Sequence, residues 1–297
     1  MMDWLARFPW MWRVGRVKFV GRHLPVQRIL MCWLWRATGR FWRMSKPEPP
    51  KLLILGGTRE AADLALQADV RWGSSLTVIT SLAGRTAAPA EIAGQVRSGG
   101  FGGADAMAAY LQTENIAAVI DATHPFAAQI SANAAAACLR AQTPRVLLDR
   151  PMWERQDGDQ WHMAADVSQA AGMLPRLGRR VFLTTGHAGL EEFSGYRDIW
   201  FLVRLVEMPE NPLPLAEYQV ITARGPFDVD GETALLLRHE IDVIVCKASG
   251  GDMTRAKLDA ARMLGLPVVM IARPPGPDGP RVVSVEAGLA WLTELLG

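Results

Sequence analysis

From Lys51 onward, short apolar runs alternate with stretches in which apolar residues recur at a helical period. The first run, residues 52–55, ends at a Gly-Gly-Thr turn, and the helical pattern begins at once at residue 59. Runs that are apolar throughout are typical of strands buried on both faces of a parallel sheet. The pattern therefore predicts an α/β fold in which helices cover both faces of parallel sheets.

The alternation continues to the C terminus with one break, at Pro151-Met152-Trp153, which is followed by a polar stretch at 154–160. We therefore expect an N-terminal extension with a Pro-containing linker (1–50), a first Rossmann-like domain (51–150) and a second α/β domain (151–297). The predicted strands are 52–55, 76–80, 95–97, 117–121, 145–148, 181–184, 200–206, 219–223, 242–246, 267–271 and 282–285, and the predicted helices are 59–69, 104–112, 126–140, 168–174, 230–238, 254–264 and 287–296.

Composition narrows the class of protein. The 297 residues are 49% hydrophobic and 21% charged, which is typical of a globular protein with a sizeable core. Three widely separated cysteines (Cys32, Cys138 and Cys246) show no metal-ligand spacing, so we expect no metal site and a reducing, cytoplasmic location. No apolar run is long enough to cross a bilayer, and we therefore expect no transmembrane segment.

Residues 1–43 differ from the rest of the chain. They carry a charge of +8, against −6 for the remainder, and six of the eleven Trp. A basic, Trp-rich segment is typical of a membrane-surface helix or a nucleic-acid arm. A start codon assigned too early would also explain it, and Met44-Ser45-Lys46 looks like a natural start. We expect the second explanation, assign the segment no function and expect no nucleic-acid partner.

The turn after the first strand is a candidate phosphate site. Gly56 and Gly57 let the backbone approach a pyrophosphate closely, and the free N–H groups at the start of the following helix favour its charge. Thr58 completes the turn. The motif is not G-x-G-x-x-G, and strand–Gly–helix turns also occur in α/β proteins that bind no nucleotide.

The end of the second strand suggests which dinucleotide would fit. NAD-binding domains place an Asp or Glu there to hold the ribose hydroxyls. This chain has Thr80, Ser81, Arg85 and Thr86 instead. Hydroxyl and guanidinium groups bind a 2′-phosphate that a carboxylate would repel, so NADP fits better than NAD. A solvated loop is the alternative interpretation of these residues.

His124 lies just beyond the strand at 117–121, at the carboxyl edge where open α/β sheets bind ligands. It could donate to a phosphate, an amide or a carboxylate, or transfer a proton. Asp121 is interpreted as structural, because aspartate commonly holds a turn through backbone N–H groups. Two glycines at 99–100 and two at 102–103 flank Phe101, which could cover a ring.

The second half offers a comparable anion cradle. Lys247, Ser249, Gly250 and Gly251 combine a cation, a hydroxyl and two glycines at a strand–helix junction. The lysine precedes the glycines, unlike in a Walker A loop, which argues against ATP-driven phosphoryl transfer. Residues 184–187 and 223–227 also follow strands and are candidate ligand loops.

Several enzyme classes are excluded by missing motifs. The sequence has no G-x-S-x-G nucleophile elbow and no H-E-x-x-H zinc motif. None of Tyr110, Tyr196 and Tyr218 is followed four residues later by Lys, so the Tyr-x-x-x-Lys pair of short-chain dehydrogenases is absent.

Taken together, the motifs resemble the precorrin-6A reductases of cobalamin (vitamin B12) biosynthesis. The resemblance covers most of residues 51–273 through LILGGTREA, SLAGRT, GGFGGA, VIDATHPFAAQISANAA, VFLTTG, WFLVRLV, ARGPF and KASGGDMTRAKLDAA. It implies two Rossmann-like parallel-sheet domains with the active site in the cleft between them. It also implies an oxidoreductase that uses NADPH to reduce precorrin-6A to precorrin-6B.

The resemblance carries roles onto particular positions. Those implied for cofactor binding or the cleft are Gly56, Gly57, Thr58, Ser81, Arg85, Thr86 and His124 on the first domain, with Lys247, Ser249, Gly250 and Gly251 facing them. His124 is the candidate catalytic residue. The family usually has Asn where this chain has Ala248. Because the substrate is rimmed by carboxylates, Arg150, Arg204, Arg224 and Arg255 are candidates to bind it.

Three alternatives stay open from the sequence. One is the cobalt-precorrin-6A reductase of the anaerobic pathway, which would act on a substrate that already holds cobalt. Another is a non-catalytic dinucleotide-binding sensor. The third is a membrane-associated enzyme that uses residues 1–43 to dock beside other enzymes of the corrin pathway. Such docking would allow contacts through which the product is handed over to those enzymes.

Overall fold

The computed structural model describes residues 48–84 and 92–297. The predictions for residues 1–43, Arg85 and Thr86 lie outside these ranges. Within them, no helix is both long and apolar enough to cross a bilayer.

The first half of the described chain alternates strand and helix as predicted. Thr58 begins the first helix, because its hydroxyl accepts a hydrogen bond from Ala61 N at 3.1 Å. The elements are β1 (Lys51–Leu55), α1 (Arg59–Trp72), β2 (Thr77–Leu82), β3 (Gln95–Ser98), α2 (Ala104–Thr113), β4 (Ile116–Asp121), α3 (Ala128–Ala141) and β5 (Arg145–Leu148).

The second half repeats the alternation. Asp166, Asp228 and Ser284 cap three of its four helices, each accepting from the N–H three residues on. The elements are β6 (Gln160–Ala164), α4 (Val167–Met173), β7 (Arg180–Leu183), β8 (Trp200–Leu205), β9 (Glu217–Thr222), α5 (Val229–Arg238), β10 (Val243–Lys247), α6 (Ala256–Leu264), β11 (Pro267–Ile271), β12 (Arg281–Val282) and α7 (Val285–Leu296).

The twelve strands of the described residues form two six-stranded parallel sheets. The first has the order β12-β5-β4-β1-β2-β3 and the second β6-β11-β10-β7-β8-β9. Every recorded strand pair is parallel, from β1 with β2 to β8 with β9. Read from β3, the first sheet has the strand order 3-2-1-4-5 of a dinucleotide-binding domain, and β12 occupies the place of the sixth strand. The predicted fold class, α/β with two Rossmann-like sheets, is confirmed.

The chain supplies the six strands of the two sheets in different ways. The second sheet is built from one continuous run, β6 to β11, with β6 paired to β11 at its edge. β12 follows the whole second sheet and pairs with β5 of the first. The predicted boundary placed residues 151–297 together in the second domain, whereas β12 and α7 lie on the first sheet.

Two local predictions were wrong. The polar stretch at 154–160 hid β6, which is largely exposed and pairs only with β11, so its sequence lacks the apolar run of a central strand. α3 begins at Ala128 and not at residue 126, because Ala127 N donates to His124 O at 2.7 Å and closes a turn first.

Both faces of each sheet are buried. Leu64 of α1 and Leu289 and Leu292 of α7 cover one face of the first sheet, and Met107 and Leu111 of α2 cover the other together with α3. The second sheet is enclosed in the same way by α4 on one face and by α5 and α6 on the other. This burial explains why most strands could be read from apolar runs.

The chain crosses between the sheets twice, after β5 and after β11, and the two crossings are joined. Arg273 Nη1 donates to Asp149 Oδ1 at 2.6 Å and to Arg150 O at 3.0 Å. Its Nη2 donates to Ser249 O at 2.9 Å. Arg281 Nη1 binds the other oxygen of Asp149 at 2.9 Å. One carboxylate and two guanidinium groups therefore hold both crossings and the end of β10 together.

Truncating Leu292 should test whether α7 belongs to the first core. This side chain is 0% exposed against the first sheet, and Leu→Ala at such a site lowers the free energy of unfolding by about 2–5 kcal/mol. Leu295→Ala, in the same helix but 39% exposed, is the matched control and should change it much less. Chemical denaturation of both variants measures the difference, and equal values would contradict this packing of α7.

Candidate functional site

The carboxyl ends of both sheets open on one cleft. The strand order reverses between β1 and β4 in the first sheet and between β7 and β10 in the second, and such reversals are where α/β sheets bind ligands. The loops after all four strands line a cavity of about 620 Å³. Its walls include Gly57, Thr58, Arg59, Glu60, His124, Arg150, Thr184, Thr185, Gly186, Arg204, Arg224, Phe227, Lys247, Ser249, Gly250 and Lys257.

The turn after β1 presents backbone to the cleft. Gly57 has φ +104° and open space where a Cβ would stand. The N–H groups of Gly57 and Thr58 have no acceptor among the described residues. Gly56 lies deeper, since its N–H donates to Ser81 O at 2.9 Å and a Cβ would stand 2.8 Å from Thr80 Cγ2. The turn can therefore cradle an anion, as the glycines predicted.

Asp121, the last residue of β4, holds the loop that follows this strand. Its Oδ1 accepts from Thr123 N at 3.2 Å and from Thr123 Oγ1 at 2.7 Å, which confirms the structural interpretation of this carboxylate. Thr58 Oγ1 donates to Ala122 O at 2.7 Å and ties this loop to the β1 turn. Both loops of the first domain are thus fixed relative to each other.

His124 stands in this loop as a neutral base. Burial is the main cause that lowers the pKa of His124, to about 4, and the charges of Arg150, Lys247 and Arg273 lower it further against a smaller opposing effect of Glu60. Nδ1 accepts a hydrogen bond from Phe126 N at 3.2 Å. In the neutral ring the proton therefore lies on Nε2, which is left to donate.

The loops after β7 and β10 form the opposite wall. Lys247 Nζ donates to Thr185 O at 2.6 Å and lies 5.4 Å from the centre of the Phe126 ring, which comes from the first domain and packs against the second core. Gly250 has φ +67°, and a Cβ there would stand 2.1 Å from Pro151 O. A side chain is therefore excluded at this glycine by backbone contact.

One ion pair bridges the two walls. Arg150 Nη1 binds Glu60 Oε1 of α1 at 2.7 Å, and its Nε donates to Ser249 O after β10 at 2.8 Å. Burial raises the pKa of Glu60, but the hydrogen bond and charge of Arg150 outweigh it and leave the pKa lowered. Glu60 is therefore ionised at neutral pH, and its pairing with Arg150 connects the first domain to the second.

Arg97 of β3 places a cation beside the carboxyl end of β2, and sequence reasoning gave this residue no role in the site. Arg97 Nη1 reaches Ser81 Oγ at 3.3 Å and Gly99 O at 2.5 Å, and the guanidinium carbon lies 3.8 Å from the centre of the Phe101 ring. Phe101 thus packs under Arg97 rather than over an open pocket. Ser81 and Arg97 are 16 residues apart in the sequence and come together only because β2 and β3 pair. The sequence alone therefore does not reveal their contact.

The predicted site residues are only partly brought together. Gly57, Thr58, His124, Lys247, Ser249 and Gly250 all line the cleft, while Gly56, Ser81 and Gly251 lie behind or beside it. Of the predicted carboxylate-binding arginines, Arg150, Arg204 and Arg224 line it, and Arg255 pairs with Asp259 outside it. Sequence reasoning assigned no role to Glu60 or Lys257, although both lie within the quoted motifs LILGGTREA and KASGGDMTRAKLDAA.

The cleft is built to bind and orient anions. Among the residues that the structure describes, six cationic side chains line it (Arg59, Arg150, Arg204, Arg224, Lys247 and Lys257) against two carboxylates (Glu60 and Glu207). Neither Cys138 nor Cys246 lines the cleft, and burial raises the pKa of Cys138 to about 12 and that of Cys246 to about 11. Neither thiol forms the thiolate that a nucleophile needs at neutral pH.

Comparison with known proteins identifies one family of reductases to which the chain is similar in sequence and in structure. The family model of precorrin-6x reductase CbiJ/CobK matches residues 51–293. The precorrin-6A reductase of Rhodococcus erythropolis is 49% identical over 82% of this chain and 98% of its own length. The solved structure of a CobK precorrin-6A reductase superposes with a TM-score of 0.79 at 43% identity and covers 83% of this chain and 97% of that one.

A cobalt-precorrin-6A reductase, from Salmonella typhimurium, is also similar. It is 30% identical over 80% of this chain and 94% of its own length. The identity to the precorrin-6A reductase of Rhodococcus erythropolis is thus considerably higher than that to this cobalt-precorrin-6A reductase.

Replacing His124 by Gln should make the free energy of unfolding less dependent on pH between about 4 and 6.5. Its pKa is about 4 in the folded protein and about 6.5 in the unfolded chain, so the unfolded state binds the proton more tightly. The free energy of unfolding of the wild type therefore decreases as the pH falls from 6.5 toward 4, because protons bind His124 more tightly in the unfolded state. Urea denaturation across this window should show a steeper loss for the wild type than for His124→Gln.

His162→Gln, in the exposed part of β6, controls for the removal of an imidazole as such. Parallel profiles for the wild type and His124→Gln would contradict the assignment of a buried, neutral His124.

Proposed function

The chain belongs to the CbiJ/CobK family of precorrin-6x reductases and reduces the precorrin-6A macrocycle, and from this premise we propose that NADPH, bound in the cleft between the two sheets, is its reductant. The family resemblance identified from the motifs, and with it an oxidoreductase of cobalamin biosynthesis, is confirmed. The observation that carries the proposal about the cofactor is the convergence of both topological switch points on one cation-lined cleft.

The first domain supplies the pyrophosphate site in this proposal. The N–H groups of Gly57 and Thr58 lack acceptors among the described residues and lie at the start of α1, where the helix dipole favours negative charge. Open space at Gly57 lets a phosphate approach the backbone. These features fit a dinucleotide, which when bound supplies the hydride for the reduction.

Selection of NADPH over NADH is assigned to the carboxyl ends of β2 and β3. Ser81 and Arg97 offer a hydroxyl and a guanidinium 3.3 Å apart, and no carboxylate stands on β2 to take ribose hydroxyls. Arg97 was not among the predicted residues, while the predicted Arg85 and Thr86 are retained in the proposal on sequence grounds alone. Together they would hold a 2′-phosphate by charge-assisted hydrogen bonds.

The second domain supplies the opposite wall and, with it, most of the substrate contacts. Lys247, Ser249 and Gly250 would face the cofactor from the wall opposite the β1 turn, as the resemblance implies. The excess of cationic side chains in the cleft suits a substrate rimmed by carboxylates. Closing such a cleft also excludes water from the reacting atoms, which favours reduction over side reactions.

His124 is proposed to orient and not to protonate. With a pKa of about 4 it carries no ionisable proton to give at neutral pH, but its Nε2–H can donate a hydrogen bond. We assign that donor to an oxygen of the bound cofactor or substrate. The proton that completes the reduction would then come from solvent or from another group.

The metal-free macrocycle is the substrate we favour over its cobalt complex, because the identity to a precorrin-6A reductase is 49% and that to a cobalt-precorrin-6A reductase 30%. A cytoplasmic reaction with hand-over of the product to the next enzyme of the pathway is part of the same proposal.

The proposal is tested by mixing the full-length chain with NADPH or NADH and following the loss of reduced-cofactor absorbance with and without precorrin-6A. Oxidation of NADPH that depends on precorrin-6A, and exceeds that of NADH, is expected. A parallel assay with cobalt-precorrin-6A decides between the two substrates. Equal rates with both cofactors would contradict the choice of NADPH.

Ser81→Asp should shift cofactor preference toward NADH. The new carboxylate would pair with Arg97 and repel a 2′-phosphate, so the Kd for NADPH should rise roughly tenfold or more, as expected for loss of a charge-assisted hydrogen bond. Gln95→Asp, at the exposed start of β3, adds the same charge away from this edge and is the control. An unchanged NADPH Kd in Ser81→Asp would remove this edge from the cofactor site.

A further inference from the structure

A cluster of three charged side chains is buried in the cleft wall of the second domain. Arg204 comes from β8, Glu232 from the first turn of α5 and Lys257 from the start of α6. The side chains of Arg204 and Glu232 are only 9% and 3% exposed, and Lys257 is similarly buried. Arg204 and Lys257 nevertheless form part of the cavity lining.

The guanidinium of Arg204 is held rigidly but incompletely paired. Its carbon lies 4.7 Å from the centre of the Phe182 ring and 4.0 Å from that of Phe227. Nη2 donates to Glu232 Oε1 at 2.6 Å. Nε is buried without a partner among the described residues, and so is Glu232 Oε2. The two rings fix the plane of the group, while one carboxylate oxygen satisfies only one of its nitrogens.

Lys257 adds a second cation beside this pair. Its Nζ donates to Thr254 O at 2.7 Å and has no carboxylate partner within hydrogen-bond distance among the described residues. Burial lowers the pKa of Lys257, and the nearby charge of Glu232 opposes that effect. With Lys257 protonated, the cluster carries one positive charge that no carboxylate of the described residues pairs with.

Such an arrangement is unfavourable unless a ligand completes it. Buried polar groups in native proteins are nearly always hydrogen-bonded, and an incompletely paired buried charge lowers stability. A planar guanidinium with donors to spare, next to an ammonium, matches the geometry of a carboxylate. The position at the cavity wall makes that carboxylate one that enters with a ligand.

We propose that Arg204, aligned by Glu232 and flanked by Lys257, binds one side-chain carboxylate of the macrocyclic substrate and so sets its orientation in the cleft. This inference rests on the proposed function. The substrate, rather than a cofactor phosphate, is the ligand because the cluster lies on β8, α5 and α6 of the second domain, whereas the unpaired amides that suit a pyrophosphate lie on the first.

The test compares steady-state kinetics of the full-length wild type with two variants. Arg204→Lys keeps the charge and loses the planar fork. The double variant Arg204→Met with Glu232→Gln removes both charges, and replacing a whole buried ion pair by neutral groups is generally tolerated in folding. The KM for precorrin-6A should rise roughly tenfold or more in the double variant and less in Arg204→Lys, with the Kd for NADPH unchanged.

Arg262→Met is the matched control. Arg262 pairs with Asp159, a carboxylate as deeply buried as Glu232, and neither residue lines the cleft. It should leave the KM for precorrin-6A at its wild-type value even where it lowers the melting temperature. A melting temperature measured for every variant separates a structural effect from a substrate effect.

The outcomes are distinct. A wild type that oxidises no NADPH with precorrin-6A refutes the proposed function itself. A wild type that turns over, with an unchanged KM in both Arg204 variants, refutes the assignment of Arg204 alone and leaves a structural ion pair. A weakened NADPH Kd in those variants would also overturn it, because the cluster would then hold a cofactor phosphate.

Discussion

The cleft depends on a single arrangement of charge at the place where the chain passes between its two sheets. Arg273 binds Asp149 on one crossing and the carbonyl of Ser249 at the end of β10, while Arg150 reaches from the same crossing to Glu60 and Ser249. These bonds are partly buried, so solvent screens them less than an exposed pair. They join the β1 side of the cleft to the loop after β10 and so hold its two walls together.

Parallel sheets explain why so much of the binding surface is backbone. The carboxyl ends of all strands in a sheet point the same way, so two such sheets facing each other bring four strand-end loops to one place. N–H groups at the start of α1 and the cationic side chains of both domains then act on the same volume. The chain accordingly needs few specialised catalytic side chains, because binding and orientation account for much of a hydride transfer.

The sequence predicted the buried strands and the helices that follow them, since an apolar run and a helical period are local signals. It did not predict β6, whose edge position leaves its sequence mostly polar, or the return of β12 and α7 to the first sheet, which is a long-range pairing. The glycine turns and His124 were identified from strand ends. Glu60, Arg97 and Lys257 were missed, because their roles arise from contacts between residues distant in the chain.

The return of β12 to the first sheet has a consequence for how the protein is made. On the ribosome, residues 51–148 emerge first, but the sheet they begin is completed only by β12, and α1 covers one of its faces alone until α7 appears. Apolar side chains of that shared cluster, such as Leu64, are therefore fully packed only when synthesis is almost finished. A chain cut short before β12 would leave the first sheet without this edge strand and without α7, whereas all six strands of the second sheet would already be present.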